Sequence, residues 1–277
     1  MADIRPLVAA DLDRVVDAIY RGGWGNLRPQ LTFYVQHPSC HPFLVDVSGE
    51  FVATATAVAK GASGWLAHVF VTPEHRRRGF GTVATRAAIE QLEALDCRSI
   101  LLAATDLGRP VYEKLGFEAE SQYVVYQGPG LDALPTDARL RPVSADDLAT
   151  VAALDRDASG EDRSAILRHF SASGWVLAEP NASVRGFYLP STWDNGAIVA
   201  PNPEDGKILG DLRRALSGRD QARVPLTAML PDRNQYGRTY LRQAGFTEQR
   251  RTVRMRRGEP IVWRPEHVWG VFSLGLG

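Results

Sequence analysis

Residues 71–82 read VTPEHRRRGFGT and join an apolar run at residues 65–71 to an apolar-periodic run at residues 83–95. This pattern predicts a strand, a glycine-bearing loop and the first turn of a helix. A helix N-terminus presents free N–H groups and the positive end of a dipole, and Gly79 and Gly81 would let a ligand approach the backbone closely. The three adjacent arginines add positive charge, although such a run is also common on solvated turns. The stretch therefore predicts a phosphate or pyrophosphate site.

The composition limits the classes of function. The chain has 277 residues, and Lys plus Arg equal Asp plus Glu at 32 each, so its formal net charge is zero. This length suits two domains. A balanced charge does not favour binding to nucleic acid. No apolar run approaches the length of about 20 residues that spans a bilayer, and the N-terminus lacks a signal-peptide pattern, so we expect a soluble, cytoplasmic protein without a membrane partner.

The two cysteines give no sign of a metal or disulfide framework. Cys40 and Cys97 are far apart and belong to no C-x-x-C or histidine-rich pattern. Neither a structural zinc site nor a set of disulfides is expected, and we predict no bound metal.

The chain contains an internal repeat. IRPLVAADL at residues 4–12 returns 136 residues later as LRPVSADDL at residues 140–148, and YEKLGFE at residues 112–118 is echoed by YLRQAGFTE at residues 240–248. Two landmarks at a nearly constant offset indicate a duplicated fold. We predict an N-terminal domain at residues 1–128, a linker rich in glycine and proline at residues 129–138, and a C-terminal domain at residues 139–277.

The spacing Arg76-x-x-Gly79-x-Gly81 after a strand resembles the acyl-CoA loop of the GNAT superfamily of N-acetyltransferases. The resemblance implies that the loop amides hold the pyrophosphate of acetyl-CoA and that the preceding strand pairs with the pantetheine arm. The binding residues that it implies are Val69, Phe70, Val71, Arg76, Arg77, Arg78, Gly79, Phe80, Gly81, Thr82, Thr105 and Arg109.

The order of predicted elements agrees with this resemblance. The first copy reads as strand, two helices, three strands, helix, strand, helix, strand, and the second copy follows a similar order with one more strand possible near its end. The glycine-rich turn at residues 22–25 could form a wall of the substrate cleft. We therefore predict an α/β (α+β) fold of two tandem GNAT-like domains, each with a mixed, mostly antiparallel central sheet flanked by helices.

The second copy departs from the loop pattern. At the positions of residues 76, 79 and 81 it carries Glu204, Lys207 and Leu209. A glutamate would repel a pyrophosphate, and a leucine would crowd it. We therefore predict that the C-terminal domain is not catalytic. It could help to frame the acceptor site, or it could only cover and stabilise the first domain.

Tyr112 is the predicted general acid. The family resemblance implies an Asn seven residues before a Tyr, and the first copy has Thr105 followed by Tyr112, whose phenol would protonate the departing CoA sulfur. The second copy keeps Asn234, but its Tyr240 is displaced by one residue, which rotates a helical side chain by about 100°. The alternative for Tyr112 is a purely structural core aromatic.

His68 is the predicted base, because it titrates in a suitable range and lies on the strand before the loop. In the family such bases tend to lie an even number of residues before the position of Val71, and His68 is an odd number away. Regular pleating would turn it to the opposite face, whereas a β-bulge could reverse this. A water relay or an acceptor amine that is already neutral remain alternatives.

Two sets of charged residues are weaker candidates. Acidic side chains could hold a cationic acceptor, with those in the turn at residues 158–163 preferred: Asp11, Asp13, Asp17, Asp155, Asp157, Glu161 and Asp162. Five arginines between residues 250 and 257 lie on or after a predicted edge strand, where they could protect the edge or bind an anion.

We therefore predict an enzyme whose N-terminal domain transfers an acetyl group from acetyl-CoA to a primary amine by direct attack. The acceptor could be a small polyamine-like, amino-acid or aminoglycoside-like molecule, a peptide N-terminus or a lysine. An acyl-CoA-binding regulatory protein and a structural protein with a relic loop are the alternatives. The sequence does not distinguish a monomer from a homodimer.

Overall fold

The computed structural model describes residues 2–180, 183–193, 195–218 and 225–277. The first half of the chain, residues 2–128, contains the predicted elements in the predicted order. Its strands are β1 Ala2–Pro6, β2 Cys40–Val47, β3 Glu50–Lys60, β4 Ser63–Val71, β5 Ser99–Ala104 and β6 Glu118–Gly128, and its helices are α1 Leu12–Arg21, α2 Arg28–Gln36, α3 Phe80–Ala94 and α4 Arg109–Glu113.

The second half, residues 139–277, repeats this order and adds the strand suggested near its end. Its strands are β7 Leu140–Pro142, β8 Trp175–Ala178, β9 Val184–Pro190, β10 Gly196–Val199, β11 Leu226–Pro231, β12 Thr247–Gly258 and β13 Val268–Gly270, and its helices are α5 Leu148–Ser159, α6 Ser164–Phe170, α7 Pro203–Gly218 and α8 Gln235–Gln243. The strand predicted at residues 224–229 begins at Val224, which lies outside the described residues.

Both cysteines are buried free thiols. Within the described ranges, no helix is both long enough and apolar enough to cross a bilayer.

The two halves exchange strands. One sheet has the order β1-β2-β3-β4-β5-β12-β6-β11, so β12 of the second half lies between β5 and β6 of the first, and the other has the order β13-β10-β9-β8-β7. The prediction that the arginine-rich strand is an edge strand is therefore wrong. β12 is paired on both sides, because its partners come from the other half of the chain.

The first sequence landmark of the repeat forms the same Arg–Asp ion pair in both halves. Arg5 donates to both carboxylate oxygens of Asp11 at 2.7 Å, and Arg141 donates to those of Asp147 at 2.6 and 2.7 Å. These bidentate bonds hold the pKa of both carboxyl groups well below its usual range. Each pair fixes the entry of a strand into its first helix.

The second landmark, Gly-Phe, ends a helix in both halves. Gly116 and Gly245 have φ angles of 84° and 82°, which favour glycine. The next residue then folds back, and the Phe117 N–H donates to the Tyr112 carbonyl at 3.0 Å. The Phe246 N–H likewise donates to the Leu241 carbonyl at 2.9 Å.

Four buried charges lie where the halves meet, and one of their two ion pairs, Lys60 with Glu161, crosses from one half to the other. Lys60 at the end of β3 lies 3.1 Å from Glu161, and Arg163 donates to both oxygens of Asp155 at 2.9 and 2.5 Å. Trp65 donates to Glu161 at 2.8 Å. Burial lowers the pKa of Lys60 to about 8, although Glu161 opposes the shift.

We expect Asp155→Asn to lower the free energy of unfolding by about 3 kcal/mol, because it leaves Arg163 buried with its charge uncompensated. Asp162→Asn is the matched control, since its pair with Arg156 is exposed and should contribute less than about 1 kcal/mol. Urea unfolding of both variants measures the difference. Equal losses would contradict the importance of the buried cluster.

Candidate active site

The first half contains an open cleft between two parallel strands. β4 and β5 pair only at Ser63–Ser99, Gly64–Ile100 and Trp65–Leu101. No further pairing between these two strands occurs in the described structure. The edge of β4 that faces β5 is thus available, beyond Trp65, to an extended ligand that adds to it like a strand.

The loop at residues 72–79 ends at the N-terminus of α3. Gly79 precedes the helix with a φ of 87°, and a Cβ built there would meet nothing within 4 Å. The N–H of Val83 donates to the Gly79 carbonyl at 3.1 Å, so the N–H groups of residues 80–82 have no acceptor within the helix. These donors and the helix dipole form an anion site.

The three loop arginines surround this N-terminus. All three are exposed, and none forms an ion pair with a described carboxylate. Nε of Arg76 donates to the Val71 carbonyl at 3.3 Å. The guanidinium of Arg78 lies 5.5 Å from the centre of the Phe80 ring. Their charge is therefore free to meet a phosphate.

Gly81 lies one residue into the helix and against β4. A Cβ at this position would lie 3.3 Å from Cγ2 of Val71, so the end of β4 leaves little room for a larger side chain. Thr82 follows it in the first turn and is partly exposed. This turn thus offers a ligand backbone with little side-chain obstruction.

Tyr112 lies on α4, on the same side of the sheet as α3. Its ring packs edge-on against Phe117 at 6.0 Å and belongs to the apolar cluster that also includes Val69, Val71 and Val83. Burial raises the pKa of Tyr112 to about 12. The phenol thus keeps its proton at neutral pH, as a general acid requires.

Thr105 and Arg109 lie at the start of α4. The Thr105 carbonyl accepts the N–H groups of Gly108 and Arg109 at 3.0 and 2.9 Å, so this residue shapes the turn into the helix. Arg109 donates to Glu113 at 2.7 Å on an exposed surface. Any contact of Arg109 with a phosphate would have to compete with this pair.

His68 occupies a β-bulge of β4. The register with β3 shifts between Thr54 and Thr56, and His68 has a φ of 47°. Of the two orientations that the sequence left open, the bulge turns the imidazole toward α2, with its ring 5.3 Å from that of Tyr34. Its Nδ1 is buried and has no hydrogen-bond partner among the described residues.

Burial lowers the pKa of His68 to about 4. The imidazole is therefore neutral at physiological pH and can accept a proton, but it is a weak base.

Aromatic side chains line the same face of β4 beyond the bulge. Trp24, in the predicted glycine-rich turn, meets Phe70 edge-on at 5.4 Å, and Phe51 stacks on Phe70 at 6.4 Å. Gly22 touches the Phe70 ring so closely that a Cβ would lie 2.5 Å from it. The turn thus packs against Phe70 of β4. Trp24 keeps 44% of its surface exposed.

Several acidic candidates for binding an acceptor amine already have cationic partners. Asp155 and Glu161 are buried against Arg163 and Lys60, Asp11 is bound by Arg5 and Arg14, and Asp162 pairs with Arg156. Asp13 and Asp157 pair with Arg28 and Arg264. The preferred turn at residues 158–163 therefore joins the halves and does not present free carboxylates.

Most of the arginines of β12 also have partners. Arg254 is buried beside Glu120 and lies 4.2 Å from the Trp263 ring, while Arg256 binds Glu120 and Arg257 binds Glu93. These partners do not favour an anion site on this strand. One group of described side chains has spacing suited to a metal ion, namely Glu50, Glu74 and His75, with ligand atoms within 4.8 Å of one another.

The corresponding cleft of the second half is filled by the chain itself. β13 pairs with β10 and contacts β11, so it lies where β4 and β5 diverge in the first half. The Ala200 N–H donates to the His267 carbonyl at 3.0 Å, and Nδ2 of Asn234 donates to the Val268 carbonyl at 2.9 Å. The retained Asn234 thus binds the protein's own backbone.

Two aromatic residues complete this closure. The ring of Trp269 lies directly on Gly206 of α7. The centres of the Tyr240 and Trp269 rings are 6.1 Å apart. Tyr240 donates its hydroxyl to Asp211 at 2.7 Å, so its phenol is already engaged. The sequence suggested a strand here from its alternating apolar residues and glycines but did not indicate that it fills the cleft.

Comparisons with known proteins agree with the geometry of both halves. The profile of the "Acetyltransferase (GNAT) family" matches residues 10–117, and a second profile, "Acetyltransferase (GNAT) domain", matches residues 151–270. The uncharacterized N-acetyltransferase YitH of Bacillus subtilis is 26% identical over 168 residues, a match that spans 57% of this chain and 59% of that protein.

Solved structures show the same two-domain fold. A Pyrococcus horikoshii protein assigned as an acetyltransferase superposes with a TM-score of 0.83 at 20% identity, over 100% of this chain and 96% of that one. A tandem GNAT protein from the clavulanic acid biosynthesis pathway gives 0.67 at 16% identity, over 94% and 99%. The chain therefore belongs to the GNAT family of N-acetyltransferases, as a tandem protein with a GNAT domain in each half.

Proposed function

We propose that the first half binds acetyl-CoA and transfers its acetyl group to a primary amine by direct attack. One observation carries this proposal: the first cleft is open and ends at free N–H groups and arginines, whereas its counterpart is filled by β13. The alternatives are a protein that binds acyl-CoA without turnover and a structural protein with a relic loop.

The residues of the first cleft fit acetyl-CoA. The N–H groups at the start of α3 and the three arginines suit the pyrophosphate, and Gly79 and Gly81 allow its close approach. The free edge of β4 at residues 69–71 suits the amide groups of the pantetheine arm. Thr105 and Arg109, at the start of α4, border the same cleft in this proposal.

The proposed reaction forms one bond and breaks one. The amine nitrogen attacks the thioester carbonyl carbon, and backbone N–H groups near residues 69–71 stabilise the developing oxyanion by about 2.7–4 kcal/mol. The C–S bond then breaks, and Tyr112 gives its proton to the thiolate. The proton lost by the amine passes to His68 or to water, and solvent returns a proton to Tyr112.

We expect His68→Gln to lower turnover by about 10²-fold while acetyl-CoA still binds, because a neutral proton acceptor is lost. Since the pKa of His68 is about 4, the activity of the unaltered protein should fall as the pH drops through that value and His68 becomes charged. Equal turnover of the two proteins would assign the proton to water or to an already neutral amine.

We also propose that the second half is not catalytic. The loop between β10 and α7 is only residues 200–202 and carries neither an arginine nor a glycine, and the engaged hydroxyl of Tyr240 and the filled cleft support the same conclusion. Its contribution would then be structural, or it would help to form the first site.

Free-thiol release tests the proposed function. Acetyl-CoA is incubated with the intact protein and separate amines that represent each acceptor class: spermidine, free amino acids, an aminoglycoside, a peptide with a free N-terminus and a peptide with an internal lysine. Amine-dependent release of CoA supports an acetyltransferase. Binding of acetyl-CoA without release across the panel supports a regulatory protein, and no binding supports a structural one.

A further inference from the structure

Residues 264–277 run from the second half onto the first. Their initial part is anchored in the filled cleft by the contacts of His267 and Val268. After β13 the chain leaves the sheet, and residues 271–277, which we call the tail segment, are buried apart from the partly exposed Leu274.

The tail segment lies directly on β4 of the first half. A Cβ built on Gly275 would lie 2.5 Å from the Cβ of Ala67, and one built on Gly277 would lie 3.1 Å from the Trp65 ring. Only glycine allows the backbone to come this close. The tail segment therefore covers β4 immediately before the bulge at His68.

The buried charges between the halves hold the tail segment in place. Nζ of Lys60 donates to the Leu276 carbonyl at 2.5 Å, and Arg163 donates to the Gly277 carbonyl at 2.6 Å. The Arg163 guanidinium also lies 5.9 Å from the Phe272 ring. These contacts come from both halves, so the position of the tail segment depends on how the halves are joined.

Ala67 and Tyr34 lie between the tail segment and His68. Ala67 precedes His68 in the chain and touches Gly275, and the Tyr34 hydroxyl lies 3.3 Å from the position of a Cβ on Gly275. The Tyr34 ring in turn contacts the imidazole. A shift of the tail segment would therefore reach the left-handed backbone of His68 through Ala67 and its imidazole through Tyr34.

We propose that the tail segment supports the β4 bulge, with Gly275 as a positioning residue of the first-half site. This inference rests on the proposed function, since the bulge carries His68 and adjoins the N–H groups near the thioester. The second half would then be a working part of the first active site and would contribute no second site.

Gly275→Ala tests this support, because its methyl group must displace Ala67 or the tail segment. In the folded variant we expect the pKa of His68, followed by NMR of its imidazole protons, to rise by about one unit as water reaches the ring. The protein has six histidines, and His68→Gln assigns the signal. We expect turnover to fall about 10-fold, since small displacements at a reacting site are costly, with unchanged affinity for acetyl-CoA.

The double variant Ala67→Gly, Gly275→Ala supplies the control. It moves the methyl group to the other side of the contact, so both the His68 pKa and turnover should return toward their values in Ala67→Gly alone. If Gly275→Ala does not fold, Tyr34→Leu removes the ring between the tail segment and His68, and the same rise in pKa is expected.

An unchanged His68 titration in a folded Gly275→Ala or Tyr34→Leu protein would overturn the proposal. So would a loss of turnover that the double variant fails to restore. If the unaltered protein neither binds acetyl-CoA nor acetylates an amine, the proposed function fails, but the NMR titration still decides whether the tail segment supports the bulge.

Discussion

Tyr112→Phe should lower turnover by about 10³-fold while leaving the affinity for acetyl-CoA unchanged, because the variant keeps the ring and loses only the proton donor. The ring packs against Phe117, and this contact does not involve the hydroxyl. The loss should therefore appear in kcat and not in binding, which calorimetry and the free-thiol assay measure separately.

The pH dependence of turnover gives a second readout of Tyr112. Its pKa is raised to about 12, so the phenol stays protonated up to that value. No alkaline decline from this group is expected near pH 10, where an ordinary tyrosine would ionise.

Tyr240→Phe is the matched control for this prediction. It removes the hydroxyl of the displaced tyrosine of the second half, which donates to Asp211. We expect turnover close to that of the unaltered protein. If Tyr112→Phe also retained full turnover, or if both variants lost it equally, Tyr112 would not be the acid.

Gly81→Leu should weaken acetyl-CoA binding by about 10³-fold or more, because the side chain would occupy the space where a pyrophosphate must approach the backbone. The sequence-based alignment of Leu209 with Gly81 is wrong, because Leu209 is buried as the seventh residue of α7, whereas Gly81 is the second residue of α3. Calorimetry with acetyl-CoA measures the loss, and thermal unfolding checks that the variant is folded.

Glu204→Leu is the control for Gly81→Leu. It places the same side chain on an exposed position in the first turn of α7, the counterpart of α3. We expect no change in acetyl-CoA affinity. Identical titrations of Gly81→Leu and the unaltered protein would show that the loop is not the binding site.

The sequence predicted the features that depend on residues close together in the chain. The loop could be recognised because its strand, glycines, arginines and helix all lie within residues 65–95. The repeat could be recognised because Arg5 and Asp11 form the same local ion pair as Arg141 and Asp147. Such contacts are determined by spacing along the chain.

Features that depend on distant partners were not predictable in this way. The arginines of β12 indicated an exposed edge, yet Arg254 is buried between the rings of Trp65 and Trp263 at 5.4 and 4.2 Å. Asp155 and Glu161 were candidates for binding a cationic acceptor, but Glu161 pairs with Lys60, far away in the chain. Charge can be read from sequence, whereas the choice of a long-range partner depends on how the halves pack.

The bulge at His68 is an intermediate case. The position of His68 left two faces possible, and regular pleating would have turned the imidazole away from α2. The extra residue opposite Thr54 and Thr56 decides between them. In our proposal the bulge is supported by Tyr34 and Gly275. These residues are far apart in the sequence and come into contact only in the folded protein.

Acetyl-CoA binding by a single half of this tandem protein underlies the proposed function. Calorimetric titration of the intact protein with acetyl-CoA is the decisive measurement, because it gives the number of sites per chain without knowledge of the acceptor. We expect one site per chain, which Gly81→Leu removes. Two sites per chain, or one site that survives Gly81→Leu, would show that the proposed function is wrong.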